Sequence, residues 1–133
     1  MKRFLALGLT VLLTVFSLSG CGCDNGGNAD LVFVNDSEAT IVTVVADYEN
    51  HTEGSQHADN SPLKRGESLG FEAGKYPVTV LVYDRSVGRV ERNELARIVI
   101  REAPPEGERW YVTARGGAGG LVLRVDTRWP EGV

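Results

Sequence analysis

The segment Leu95-Ala96-Arg97-Ile98-Val99-Ile100-Arg101, residues 95–101, carries the clearest structural signal in the chain. Ala96, Ile98 and Ile100 fall on one face of an extended chain, and arginine side chains fall on the opposite face. Successive side chains of a β-strand point to alternate faces, so this period of two predicts a strand with one buried and one exposed face.

Other segments extend the same pattern in both directions along the chain. Trp110–Arg115 and Leu121–Asp126 also alternate between apolar and polar residues. Ile41–Tyr48 and Tyr76–Tyr83 are apolar at nearly every position and rich in β-branched and aromatic residues, which is typical of central strands. Each of these four segments is therefore predicted to be a strand.

Two short segments, Leu31–Asn35 and Leu69–Phe71, complete a set of seven predicted strands. Turn-forming residues separate the strands, and Gly116–Gly120 is predicted to join the last two as a hairpin. The sequence therefore predicts an all-β domain, a small seven-stranded antiparallel β-sandwich over residues 31–129, followed by a C-terminal tail over residues 130–133.

The run from Val32 to Val45 holds Val-Asn-Asp-Ser between two strands, and Leu63–Ser68 precedes a third. In these residues the domain resembles immunoglobulin-like and transthyretin-like sandwiches. Such folds host many unrelated functions, so the resemblance implies an architecture and no site residues.

The first 20 residues form a different kind of segment. Lys2 and Arg3 precede the apolar run Phe4–Leu18, and small residues follow it. This order is typical of a cleaved secretory signal. The alternative is an uncleaved membrane anchor, but 15 helical residues cover roughly 22 Å of a hydrocarbon layer about 30 Å thick.

Leu18-Ser19-Gly20-Cys21 resembles the lipobox of bacterial lipoproteins, in which an aliphatic residue and two small residues precede a cysteine. The resemblance implies that Cys21 receives a diacylglyceryl group and that the chain is cleaved after residue 20. The mature protein would carry palmitate-type acyl chains as its covalent lipid and no other cofactor. It would be held on the exported side of the cell membrane or the outer membrane. The alternative is a chance cysteine beside an ordinary cleavage site.

Residues 21–30 are polar and glycine-rich, which predicts an acylated, flexible tether. Cys23 is the other cysteine of the chain, and with Cys21 acylated it has no intrachain partner for a disulfide. Removal of the leader changes the net charge from −4 to −6, because two basic residues are lost. This acidic balance argues against a nucleic-acid partner.

One polar segment contains both histidines of the chain and four carboxylates within 13 residues. Imidazole and carboxylate groups are ligands for zinc, and carboxylates alone suit calcium. The spacing matches no standard metal motif, and a polar surface loop between strands explains the composition equally. The candidate ligands of this alternative function, a divalent-metal-binding lipoprotein, are His51, His57, Asp47, Glu49, Glu53 and Asp59.

The sequence favours an interaction role over catalysis. Ser55 lies near both histidines, but the chain has no Gly-x-Ser-x-Gly elbow, and its glycine-rich stretch lacks the Lys-Ser/Thr pair of a phosphate loop. A small hydrolase is the least favoured alternative. Tyr111 lies on the more polar face of its strand and Trp129 near the C-terminus, so both are candidate contacts for a protein or glycan partner in the envelope.

Overall fold

The computed structural model describes residues 28–49, 51–85, 93–117 and 120–133. These residues form an all-β sandwich and, within the described ranges, contain no helix. Eight strands follow one another along the chain: β1 (Leu31–Ser37), β2 (Thr43–Tyr48), β3 (His51–Ser55), β4 (Ser68–Phe71), β5 (Val78–Tyr83), β6 (Glu94–Ile100), β7 (Trp110–Gly117) and β8 (Gly120–Asp126).

The strands form two four-stranded sheets. The first sheet has the order β4-β1-β7-β8, and the second has the order β3-β2-β5-β6. In the first sheet β1 pairs in parallel with β7, whereas the other pairs are antiparallel. The second sheet is antiparallel throughout. The edge strands β6 and β8 approach each other, so this edge of the sandwich is partly closed.

The predicted class is confirmed, but two details of the seven-stranded antiparallel prediction were wrong. The additional strand is β3, which the sequence analysis treated as part of a polar loop because His51–Ser55 contains no large apolar residue. It forms because its backbone extends the β2 hairpin at the sheet edge. The parallel β1–β7 pair was missed because alternation of residues is the same in parallel and antiparallel strands.

The core lies between the two sheets and is built from one face of each contributing strand. From the first sheet, Phe33 packs beside Leu69 and Val112, the residues that pair with it on the neighbouring strands. From the second sheet, Val80 and Val82 face the same core. All five side chains are buried, and apolar burial of this kind is the main stabilising contribution to a sandwich of this size.

The glycine-rich hairpin predicted between the last two strands is confirmed by the pairing of Gly117 with Gly120. Gly116 has a φ of +119°, and a Cβ atom there would collide with the backbone carbonyl of Gly120. Glycine is therefore required at position 116, because an L side chain is both strained and sterically excluded.

The outer face of the first sheet is covered in part by the residues after β8. This C-terminal segment, residues 127–133, turns back across the sheet, and Val133 packs against the buried Val32 and Val34 of β1. The Trp129 indole nitrogen donates a hydrogen bond to the Val133 carbonyl at 3.3 Å. Val133, within the segment 130–133 that was predicted to be a tail, thus contacts the sandwich.

Candidate functional site

Tyr111 and Trp129, the two predicted partner contacts, lie together on the outer face of the first sheet. Their ring centroids are 5.8 Å apart with an interplanar angle of 76°, an edge-to-face arrangement. Tyr111 also packs against Val32 and Val34, whereas Trp129 is 37% exposed. Trp129 therefore offers the exposed aromatic surface, and Tyr111 supports it.

A cavity of about 240 Å³ lies beside Trp129, between the C-terminal segment and strands β7 and β8. We refer to it as the C-terminal cavity. The strands and the C-terminal segment contribute four lining residues each: Thr113, Arg115, Arg124 and Asp126 from the strands, and Arg128, Trp129, Pro130 and Glu131 from the segment.

Arg115 is held in place at this cavity by two contacts. Its Nε donates to Oδ2 of Asp36 at 2.8 Å, and its Nη2 donates to the Glu131 carbonyl at 3.2 Å. Arg65 donates to the other carboxylate oxygen of Asp36 at 2.9 Å. The hydrogen bond from Arg65, followed by that from Arg115, holds the pKa of Asp36 below its ordinary value. The Arg115 guanidinium group is therefore fixed by contacts within the domain.

Arg124 and Arg128 differ from Arg115 in their partners. Within the described ranges, no carboxylate lies within ion-pair distance of either guanidinium group. Arg124 lies on the outer face of β8, opposite Thr113 of β7. The two guanidinium groups are the cationic groups of the cavity that remain available to a ligand.

The predicted metal site is not assembled. His51 lies at the start of β3 and packs against Tyr48 in a tilted arrangement, with ring centroids 5.1 Å apart. His57 lies beyond the other end of β3, where its Nε2 is 3.2 Å from Oε1 of Glu67. The strand, roughly 16 Å long, separates the two imidazoles. A flexible loop would have allowed them to converge, but β3 holds them apart.

The four candidate carboxylates are also dispersed. Asp47 accepts a hydrogen bond from Thr52 on the opposite face of the hairpin from Glu53. Glu49 lies in the exposed turn after β2, and Asp59 caps the backbone and hydroxyl of Ser61. Among the residues that the structure describes, no three His, Cys, Asp or Glu side chains form a group that could hold a metal ion.

A hydrogen-bonded chain of Ser61, His57 and Glu67 is present in the segment between β3 and β4. The His57 Nδ1 is 2.9 Å from the Ser61 hydroxyl, and its Nε2 faces Glu67. The Ser61 hydroxyl, however, is 2.7 Å from Asp59 Oδ1, which also accepts the Ser61 backbone N–H. Asp59 thus competes for the hydroxyl proton that a nucleophilic serine must give to histidine. The arrangement is that of a polar turn; Ser55, the serine considered from the sequence, is not part of it.

The chain enters the sandwich at Asp30, and we call this end of the domain the tether end. The Asp30 carboxylate accepts hydrogen bonds from the backbone of Ala73 and Gly74 at 2.7 and 2.9 Å and from the Tyr76 hydroxyl at 3.0 Å. Burial, followed by the nearby charge of Asp30, raises the pKa of Tyr76. The carboxylate therefore fixes the point at which the domain begins.

Glu53 lies at the same end in an unfavourable electrostatic environment. Partial burial raises its pKa; the nearby His51 acts against this shift, and the charges of Glu72 and Asp30 act in the same direction as burial. The Tyr48 hydroxyl bonds to Glu53, and burial followed by the Glu53 charge raises the pKa of this tyrosine. Acidic groups thus accumulate where the tether joins the sandwich.

Cys21, the predicted lipidation site, lies outside the described residues, as does the whole predicted signal segment. In the described ranges the structure contains no helix long and apolar enough to span a membrane. Comparisons with protein-family models, with curated proteins and with solved structures found no match.

Arg124 and Arg128 were not predicted from the sequence as site residues. Alternation along β8 places Arg124 on the exposed face, so its exposure was predictable. The return of the C-terminal segment over this face was not, because it depends on the packing of Val133 and Trp129 against distant strands. The cavity is formed by that tertiary contact.

Proposed function

We propose that this protein is an exported lipoprotein, anchored in a membrane through Cys21, whose β-sandwich is a non-catalytic module that binds a partner in the bacterial envelope. The observation that carries the proposal is the sequence Leu18-Ser19-Gly20-Cys21 after an apolar leader. Acylation with two or more chains supplies stable membrane attachment, whereas one chain holds a protein only marginally.

The position of the domain relative to Cys21 supports this arrangement. Ala29 is already buried against the first sheet, and Asp30 is fixed by hydrogen bonds. Seven residues, 22–28, therefore separate Cys21 from the sandwich along the chain, and a segment of this length spans at most about 25 Å. The sandwich would lie close to the membrane, with its tether end facing the bilayer.

The interaction role is supported by the outer face of the first sheet. It combines the exposed indole of Trp129, a cavity, and the guanidinium groups of Arg124 and Arg128, which form no ion pair within the part of the chain that the structure describes. Groups of this kind are enriched where proteins contact partners. The Ser61 hydroxyl is occupied by Asp59, so the polar chain near His57 favours a structural turn over hydrolysis. The immunoglobulin-like or transthyretin-like assignment stays a prediction based on turn residues.

Membrane fractionation with two matched cysteine variants tests the anchor. We expect Cys21→Ser to abolish incorporation of labelled palmitate and to release the protein from the membrane fraction or leave it unprocessed. Cys23→Ser removes a thiol two residues away and should remain processed, acylated and membrane-bound. A processed Cys21→Ser protein that stays as firmly bound as the parent would disprove the lipoprotein assignment.

Labelling with a fluorophosphonate tests the absence of serine hydrolase activity. We expect no labelling of the full chain, because Asp59 competes with His57 for the hydroxyl proton of Ser61. Labelling that disappears in Ser61→Ala and persists in Ser55→Ala would assign a catalytic role to Ser61 and would overturn the non-catalytic part of the proposal.

A further inference from the structure

We infer that the C-terminal cavity binds one acidic sugar unit of a saccharide, with Arg124 and Arg128 contacting its carboxylate. This inference deepens the proposed interaction role by naming a ligand class, and it rests on that role. It does not depend on lipidation of Cys21, because the cavity is formed entirely by residues after position 112.

The charge pattern of the cavity indicates a ligand with an anionic group. Arg115 is engaged by Asp36, whereas Arg124 and Arg128 have no described ion-pair partner. A planar guanidinium group matches a carboxylate through two parallel hydrogen bonds. Two such groups at one cavity therefore favour a carboxylate-bearing ligand.

The cavity is also lined by carboxylates, which can accept hydrogen bonds from a ligand and so favour a ligand that carries donors. Asp126 and Glu131 line the same space as the two arginines. These carboxylates repel any anion, so they favour a ligand that also donates hydrogen bonds to them over one without side-chain donors, such as a run of glutamates. A sugar acid has hydroxyl groups that donate to carboxylate oxygens as well as an anionic group for the arginines, so it satisfies both kinds of lining residue.

Trp129 supplies an apolar surface for the remainder of the ligand. Its N–H is already engaged by the Val133 carbonyl, so the exposed part of the indole is the ring. The C–H groups of a sugar ring can pack against such a surface and remove apolar area from water. A volume of about 240 Å³ is below the usual range for drug-sized ligands, which fits a single sugar unit.

The edges of the sandwich argue against the main competing occupant, a peptide added to the sheet as a strand. Such a peptide needs an accessible strand edge beside the pocket. The free edge of β8 is approached by β6 of the other sheet. An acidic peptide is therefore less favoured here than a saccharide.

Calorimetric titration of the full chain in non-ionic detergent with tetragalacturonic acid tests the inference. We expect binding that weakens as ionic strength rises and is lost with the methyl-esterified tetramer. Replacing both Arg124 and Arg128 by glutamine should weaken binding at least about tenfold. The matched control replaces Arg97, in β6 of the other sheet, and Arg101, which follows β6, by glutamine and should bind like the parent.

A second variant separates the saccharide from other anions. Oδ1 of Asp126 accepts a hydrogen bond from the Thr127 backbone N–H, so Asp126→Asn replaces the other acceptor oxygen by an NH2 donor. The substitution should weaken binding of the tetramer, whereas it should strengthen binding of hexaglutamate or inorganic phosphate. Unchanged thermal unfolding shows that each variant remains folded.

Three results would overturn the inference. The methyl-esterified tetramer could bind as tightly as the acid, or the Arg124/Arg128 and Arg97/Arg101 double variants could lose the same amount of affinity. Hexaglutamate could also bind more tightly than the tetramer. Absence of tetramer binding would also overturn it. That absence in a chain still acylated at Cys21 would refute the saccharide assignment and leave the membrane anchor intact.

Discussion

Asp36 lies between two guanidinium groups at one end of the sandwich, whereas Glu53 lies near two further carboxylates at the other. Strand β1, roughly 20 Å long, separates the distal end, which contains Asp36, from the tether end, which contains Asp30. The pKa of Asp36 is lowered by Arg65 and Arg115, and the pKa of Glu53 is raised by burial and by acidic neighbours.

From the directions of these two pKa shifts we infer that carboxylates of similar chemistry contribute to stability with opposite sign. At the distal end, ionisation of Asp36 joins β1 to β7 and to the turn before β4. At the tether end, burial disfavours the ionised form of Glu53. The negative charge of Asp30 is instead stabilised by three hydrogen-bond donors. The tether end therefore depends on satisfied hydrogen bonds, and the distal end depends on opposite charges.

The largest expected effect is the loss of Asp30. Asp30→Ala removes the acceptor for two backbone N–H groups and the half-buried Tyr76 hydroxyl, and it should lower the free energy of unfolding by about 3 kcal/mol. Chemical denaturation at pH 7 measures this change. Asp47→Ala, which removes one exposed hydrogen bond to Thr52, is the control and should change stability by less than about 0.5 kcal/mol. Equal effects would show that Asp30 does not fix the tether end.

A smaller effect is expected at the distal end. Both arginines are about half exposed, so Asp36→Asn should cost about 1 kcal/mol at pH 7. Because the folded pKa lies below the ordinary value of 3.8, this contribution is complete above about pH 5 and is lost as the pH falls through the folded pKa. Unfolding of both proteins from pH 7 to pH 3 should give curves that converge at low pH. A constant gap would show that the charge of Asp36 is not responsible.

The smallest effect should have the opposite sign. Glu53→Gln removes a charge that the fold opposes and keeps an acceptor for Tyr48, so it should stabilise the domain by a few tenths of a kcal/mol at pH 7. Because the pKa of Glu53 in the folded protein is raised, Glu53 becomes protonated as the pH falls through that pKa towards the ordinary value of 4.5. The stability of the parent should then approach that of the variant. Glu108→Gln, at an exposed position, should have no comparable effect. Destabilisation by Glu53→Gln at pH 7 would contradict the proposed contrast between the ends.

The sequence predicted those parts of the fold that depend on local alternation. The inward position of Val112 follows from a period of two, and the hairpin at Gly116 follows from the glycine-rich run after β7. Phe33 and Val80 lie in segments that are apolar on both faces, so the sequence predicted their strands but not which side chains face inward. The same rule could not identify β3, because its residues are stabilised by backbone pairing with β2 and not by burial of apolar side chains.

Site residues were predictable to the extent that a single strand determines them. The exposed face of β7 was visible in the sequence, and Tyr111 was predicted as a partner contact for that reason, whereas Trp129 was predicted from its position near the C-terminus. Their contact with each other and the cavity beside Arg128 depend on the return of the C-terminal segment. The histidines illustrate the converse, since proximity along the chain predicted a cluster that the extended backbone of β3 prevents.

The parallel pairing of β1 with β7 also constrains how the chain folds. The first strand of the domain acquires its central neighbour only when residues 110–117 are available. Closing a loop of this length before its contacts form gives a high contact order, which is associated with folding in milliseconds to seconds. A nascent chain that ends after β6 has the strands of the second sheet but lacks half of the first. Newly made protein should therefore remain sensitive to proteases until β7 has been synthesised.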